Sequence, residues 1–135
     1  MIIAWLLFDK IRNKNIDVDY LTLHIGAGTF KPIKSELVAD HIMHSEQFVV
    51  EKVFIEKLIA RLNYGITAVG TTSLRTLESL YWLGLKIHSG LFDPEDGITV
   101  KQWDPYTLKA TVSPREALEA IGSFLEQTGQ LEMLT

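Results

Sequence analysis

Ile66-Thr67-Ala68-Val69-Gly70-Thr71-Thr72-Ser73-Leu74-Arg75-Thr76-Leu77-Glu78 is the stretch on which the fold turns. A short, mostly apolar run stops at a glycine, and three hydroxyl residues then open a helical pattern with Leu74, Leu77, Leu80 and Tyr81 as its stripe. The change of period across Gly70 reads as strand, turn, helix. Ligands favour such junctions, because the first N–H groups of a helix have no partner within it.

Working upstream, residues 53–63 predict a helix with Ile55, Leu58, Ile59 and Leu62 on its buried face, closed by Gly65. A strand is expected over Gln47–Val50. Val18 to Ile25 alternates with period two, and both faces are mostly apolar, which predicts an internal strand covered on both sides. Residues 2–13 predict a helix, with Ile3, Leu7 and Ile11 four apart, Lys10 and Arg12 near its end, and Asn13-Lys14-Asn15 as its stop. The alternation of strands and helices predicts an α/β fold: a partly parallel sheet flanked by helices.

Downstream the texture changes. Phe92-Asp93-Pro94-Glu95-Asp96-Gly97 reads as a turn, and Ile98–Trp103 as a strand. Ser113-Pro114-Arg115-Glu116 has serine at the cap, proline at the first helical position and glutamate three after the serine. The helix it opens has Ala117, Leu118, Ile121, Phe124 and Leu125 on its apolar face and ends at Gly129. Phe48, Phe54 and Tyr81 fit core positions, and Trp103 sits beside a predicted strand.

The 135 residues suffice for one domain with a core, and 47% apolar against 22% charged residues is a globular rather than a disordered profile. Thirteen basic and 17 acidic residues leave a formal charge of −4, which counts against nucleic-acid binding as a stand-alone function. The chain has no cysteine, so disulfides, thiolate metal sites and a cysteine nucleophile are excluded. The apolar opening Met1–Phe8 is too short to span a bilayer and lacks the flanks of a leader, so no membrane partner and a cytoplasmic location are expected.

Three constellations can carry chemistry. His24-Ile25-Gly26-Ala27-Gly28-Thr29-Phe30 follows a predicted strand, and its two glycines let the backbone approach a ligand; a plain turn beside a core histidine fits the same residues. Asp40-His41-Ile42-Met43-His44-Ser45-Glu46 packs two histidines and two carboxylates into seven residues. They suit either a divalent metal or a general acid and base, against the plain reading of an exposed polar loop. The hydroxyl-led start Gly70–Ser73 suits a carboxylate or phosphate, where simple capping would explain one hydroxyl. Arg75 and Glu78, three apart, read as a surface pair.

These three blocks, in this order, resemble the central motifs of the S-adenosylmethionine:tRNA ribosyltransferase-isomerase family of queuosine biosynthesis. The similarity runs from about Leu21 to about Leu83, just under half of the chain. It implies transfer and isomerisation of the ribosyl part of S-adenosylmethionine, a substrate rather than a resident cofactor, onto 7-aminomethyl-7-deazaguanine in tRNA. Epoxyqueuosine, adenine and methionine would result, and no metal is expected. On this resemblance His24, His44 and Glu46 are candidates for proton transfer, and Gly26, Gly28 and Thr29 would wall the sulfonium nucleoside. Phe30 would face the sulfonium through its ring. Thr71, Thr72, Ser73 and Arg75 would bind an anion, either the methionine carboxylate or a tRNA phosphate.

The family's N-terminal region and its N-F-H-x-P block have no counterpart here. Residues 1–135 are therefore expected to be one α/β domain of a larger enzyme, inactive alone, with 84–135 a lineage-specific insertion. Two other readings stand beside this one. A small metal-dependent hydrolase would use Asp40, His41, His44 and Glu46, and a non-catalytic module would have borrowed the enzyme's scaffold.

Overall fold

The computed structural model describes residues 2–24, 37, 46–91, 98–129 and 132–134. In chain order these form α1 (Ile2–Asn13), β1 (Thr22–His24), β2 (Gln47–Glu51), α2 (Lys52–Arg61), α3 (Thr71–His88), α4 (Asp104–Thr107), α5 (Pro114–Thr128) and β3 (Glu132–Leu134). Helices and a small sheet are mixed, as expected for α/β.

The sheet departs from expectation. Its order is β1-β2-β3, and both ladders are antiparallel, Leu23 facing Phe48 on one side and Val50 facing Met133 on the other. No parallel pairing occurs among the described residues, and Ile66–Val69, the strand it called for, is irregular. The central β2 already has a neighbour along each edge, so it offers no hydrogen-bonding edge to a further strand. Val69 is left 85% exposed.

Two other expected strands are shortened or lost, and side chains explain both. Of the described part of the expected Val18–Ile25 strand, only Thr22–His24 pairs, and among the described residues β1 is an edge rather than an internal strand. Upstream of it, Asp19 accepts from Lys57 at 2.7 Å and Asp17 pairs with Arg61, which draws residues 17–19 onto α2. That contact holds the Asp19 carboxyl below its ordinary range, chiefly through the Lys57 hydrogen bond. In Ile98–Trp103, the Thr99 carbonyl accepts from Lys86 Nζ (2.8 Å) and the Lys101 N–H donates to Asp104 Oδ2 (2.8 Å), so side chains take the groups a ladder would use.

The core lies where α2, α3 and α5 meet β2. Phe48, Val50, Ile55, Leu80, Leu83, Leu118, Ile121 and Leu125 form one buried cluster, with Leu58, Ile59, Leu62, Leu77 and Phe124 packed at its border. At the α3–α5 crossing, a Cβ on Gly84 would lie 2.1 Å from the Ala117 carbonyl oxygen, so only glycine lets the two backbones come this close. Leu74, expected in the stripe, is 53% exposed. It precedes Gly84 by ten residues, roughly 15 Å along the helix axis, and so lies short of the crossing.

The ends of α5 follow the sequence pattern. Ser113 Oγ accepts from the Glu116 N–H, and the Glu116 carboxylate accepts from the Ser113 N–H at 2.7 Å, closing the expected capping box. Gly129 ends the helix in the left-handed conformation (φ 68°). Further tethers bind this part of the chain: the Tyr81 hydroxyl donates to the Val112 carbonyl (2.9 Å), and Arg115 donates to the Ile59 carbonyl (3.3 Å). Lys86, buried in α3, also reaches Asp104 Oδ2 at 3.0 Å, which fixes the start of α4.

Candidate functional site

Gly26, Gly28, Thr29, Phe30 and His44 lie outside the described residues, as do Asp40 and His41 of the hydrolase reading. His24, Glu46 and the α3 start are described, and each belongs to a different one of the three blocks.

β1 carries His24 at its end, exposed and paired in register with Gln47, the first residue of β2. Glu46 precedes Gln47 directly, so the antiparallel ladder sets the start of the first block beside the end of the second. Glu46 itself is largely buried, its side chain 9% exposed, and its carboxylate lies 3.9 Å from the guanidinium of Arg75. Arg75 stands in the second turn of α3, with its side chain 47% exposed. The third block thereby reaches the second.

This pairing replaces the anticipated Arg75–Glu78 partnership with a contact across 29 positions of the chain (75 minus 46). Nothing in the spacing of the sequence announces it. Gln47, opposite His24, was likewise invisible before the register was known.

The α3 start is open. Its cap is Gly70, with φ 96° and ψ 145°, a conformation that L side chains rarely adopt, and no side chain caps the first turn. The first helical hydrogen bond runs from the Leu74 N–H to the Gly70 carbonyl at 3.1 Å. Thr71 is exposed, Thr72 and Ser73 are half-buried, and the buried Thr76 hydroxyl donates back to the Thr72 carbonyl at 2.9 Å. The turn thus offers backbone donors and the positive end of an 18-residue helix beside a guanidinium.

Chemically, the corner combines a carboxylate withdrawn from water, a half-exposed guanidinium and a donor-rich helix start, while the exposed His24 imidazole stands on the neighbouring strand. A groove lined by Ile87, His88, Glu116, Glu119, Ser123 and Phe124 opens at the far end of α3, and none of the expected site residues lines it. Among the described residues no group of three or more histidines and carboxylates is placed to hold a metal ion. No helix among them is long and apolar enough to cross a membrane.

A family model described as a queuosine biosynthesis protein matches residues 4–107. Among curated proteins, the S-adenosylmethionine:tRNA ribosyltransferase-isomerase of Buchnera aphidicola subsp. Acyrthosiphon pisum is 48% identical over 77 residues, and that of Treponema denticola 44% identical over 77 residues. Each alignment covers 56% of this chain and 22% of the relative, so the matched part is about a fifth of those proteins' length. No solved structure matches the chain.

Proposed function

The chain belongs to the queuosine biosynthesis protein family, and from that premise we propose that it serves S-adenosylmethionine:tRNA ribosyltransferase-isomerase chemistry. The ribosyl moiety of S-adenosylmethionine would be transferred to 7-aminomethyl-7-deazaguanine in tRNA and isomerised, giving epoxyqueuosine with release of adenine and methionine. tRNA as partner and the cytoplasm as location belong to the same reading. The observation that supports it is the Glu46–Arg75 contact, which joins the second block to the third, with the His24–Gln47 register running alongside.

The reaction needs a proton removed next to the positive sulfur, a proton delivered to departing adenine, an anchor for the methionine end and exclusion of water. Candidates for the proton transfers are His24, His44 and Glu46, of which Glu46 is paired with Arg75. Gly26, Gly28, Thr29 and Phe30 are proposed to wall the sulfonium nucleoside, and Thr71, Thr72, Ser73 and Arg75 to bind an anionic group. Residues 1–135 are proposed to act as one domain of a larger enzyme. In support, Leu118, Ile121 and Leu125 share one core cluster with Phe48, Ile55 and Leu80.

A chimaera tests the proposal. In it, the matched 77 residues of the Treponema denticola relative are replaced by their counterpart from this chain. Adenine release from S-adenosylmethionine in the presence of substrate tRNA is expected to persist in the chimaera and to fall by about a hundredfold or more with His44→Ala. A folded chimaera that releases no adenine overturns the assignment.

A further inference from the structure

Trp103 and Tyr106 are large rings held in place yet left in water. Trp103 is 45% and Tyr106 80% exposed, with ring centroids 5.6 Å apart and planes inclined by 56°. The rings form an open angle, so a flat molecule laid on one meets the edge of the other. The backbone beneath them is firmly tied. The Trp103 carbonyl accepts from the Tyr106 N–H (3.0 Å), the Thr107 N–H (3.1 Å) and the Thr107 hydroxyl (3.1 Å). Pro105 stiffens the first turn of α4. Asp104 Oδ2 accepts from both the Lys101 N–H and Lys86 Nζ, which moors the pair to the buried part of α3. Exposed aromatic rings on a fixed backbone lose little freedom when a ligand covers them, so they suit binding.

The neighbouring residues select the ligand. Residues 98–112 contain two lysines, Lys101 and Lys109, both exposed, and a single carboxylate, that of Asp104. Lys86 meets that carboxylate at 3.0 Å. The segment thus carries +1 (two lysines less one aspartate) within a chain of −4, and locally favours an anion. A lipid surface or an aliphatic partner would want apolar neighbours, whereas Lys101, Gln102, Asp104 and Thr107 stand next to these rings in the chain. A planar group joined to a phosphate suits both the rings and the charge.

We propose that Trp103 and Tyr106 are a stacking platform for an unpaired base of RNA, with the positive charge of residues 98–112 drawing in its phosphates. This deepens the proposed function and rests on it for the identity of the RNA, a tRNA. Lys86, to which the platform is moored, follows Thr71 by 15 positions of α3 (86 minus 71), roughly 22 Å along the axis. The platform therefore grips the tRNA away from the base that reacts, and gives residues beyond the three blocks a part in holding it.

The test titrates the 135-residue chain with a single-stranded oligoribonucleotide, the same strand carrying abasic sites, its duplex and adenosine monophosphate. The Trp103 indole N–H and the Thr107 amide are followed by NMR at low salt. The intact single strand is expected to move both signals, with the other three ligands at least about tenfold weaker. Trp103→Ala and Tyr106→Ala should each weaken the strand by about tenfold, read on the Thr107 amide, and Tyr106→Phe should change it less than about twofold. Lys109→Gln should lower the slope of log affinity against log salt by about 0.7. Circular dichroism checks that each variant keeps its helices.

Equal binding of the abasic strand, of the duplex or of adenosine monophosphate overturns the platform. So does affinity unmoved by Trp103→Ala and Tyr106→Ala in folded variants. Adenine release by the chimaera, with no shift of either signal by RNA, overturns the platform and leaves the proposed activity standing. A ring-dependent shift, with a folded chimaera that releases no adenine, upholds the platform and removes the ribosyltransferase reading.

Discussion

The two halves of α3 are one helix put to opposite uses. From Leu80 onward it is core: Leu80, Leu83, Gly84, Leu85 and Lys86 are all buried, and the helix backbone touches that of α5. In its first two turns Thr71, Leu74 and Arg75 face solvent, no side chain caps the start, and the cross-chain contact is an ion pair. The packed half fixes the axis, so the open half can present donors without contributing much to stability. Substitutions in the two halves should therefore separate stability from binding.

The sharpest break of that contrast is Leu83→Ala, at a residue with no exposed surface. It should lower the unfolding free energy by roughly 3–4 kcal/mol through lost burial and the cavity left behind, measured by urea denaturation. Gly84→Ala should follow at about 2–3 kcal/mol, because the Ala117 backbone cannot yield like a flexible side chain, less the small gain in helix propensity. A Gly84→Ala protein as stable as the parent would mean that the halves are not divided at the crossing.

Loss of the α5 cap by Ser113→Ala should cost about 1 kcal/mol. The same cap makes a pH prediction. The Ser113 N–H, then the Ser113 side chain, hold the Glu116 carboxyl below its ordinary range, and the His88 charge adds to this. A depressed carboxylate pKa contributes stability that is present above the unfolded value and lost as pH falls through the folded one. The difference in Tm between the parent and Glu116→Ala should thus be present at pH 7 and close as pH drops below about 4.3.

The smallest stability effect belongs to the open half. Arg75→Ala should change the unfolding free energy by less than about 1 kcal/mol, because the guanidinium is half exposed and stands 3.9 Å from the buried Glu46 carboxylate, while weakening binding of the anionic group proposed for the α3 start. A loss comparable to that of Leu83→Ala would show Arg75 to be a structural strut and erase the distinction between the halves.

What was legible in the residues divides along the same line. α1 has the bounds its periodicity and Asn13-Lys14-Asn15 stop implied, and α5 has its capping box and its left-handed glycine, because these signals act within a few positions of the chain. Strands require partners that the local pattern does not name. Ile66–Val69 has strand composition, yet both edges of β2 were already taken by segments 42 and 63 residues from it (66 minus 24; 132 minus 69). Glu46 and Arg75 were each singled out for chemistry, but their contact is a product of tertiary packing. Gly84 looked like any helix glycine until Ala117 was placed against it.

The clasp between residues 17–19 and α2 has a further consequence. Two residues of extended chain span roughly 6.6 Å, and four residues of helix advance roughly 6 Å, so Asp17 and Asp19 mesh with Arg61 and Lys57 like teeth of matching pitch. A slip of one position would put Ile16, Val18 or Tyr20 before those cations. The clasp is therefore a vernier: five residues before His24, it sets the phase with which the imidazole arrives opposite Gln47.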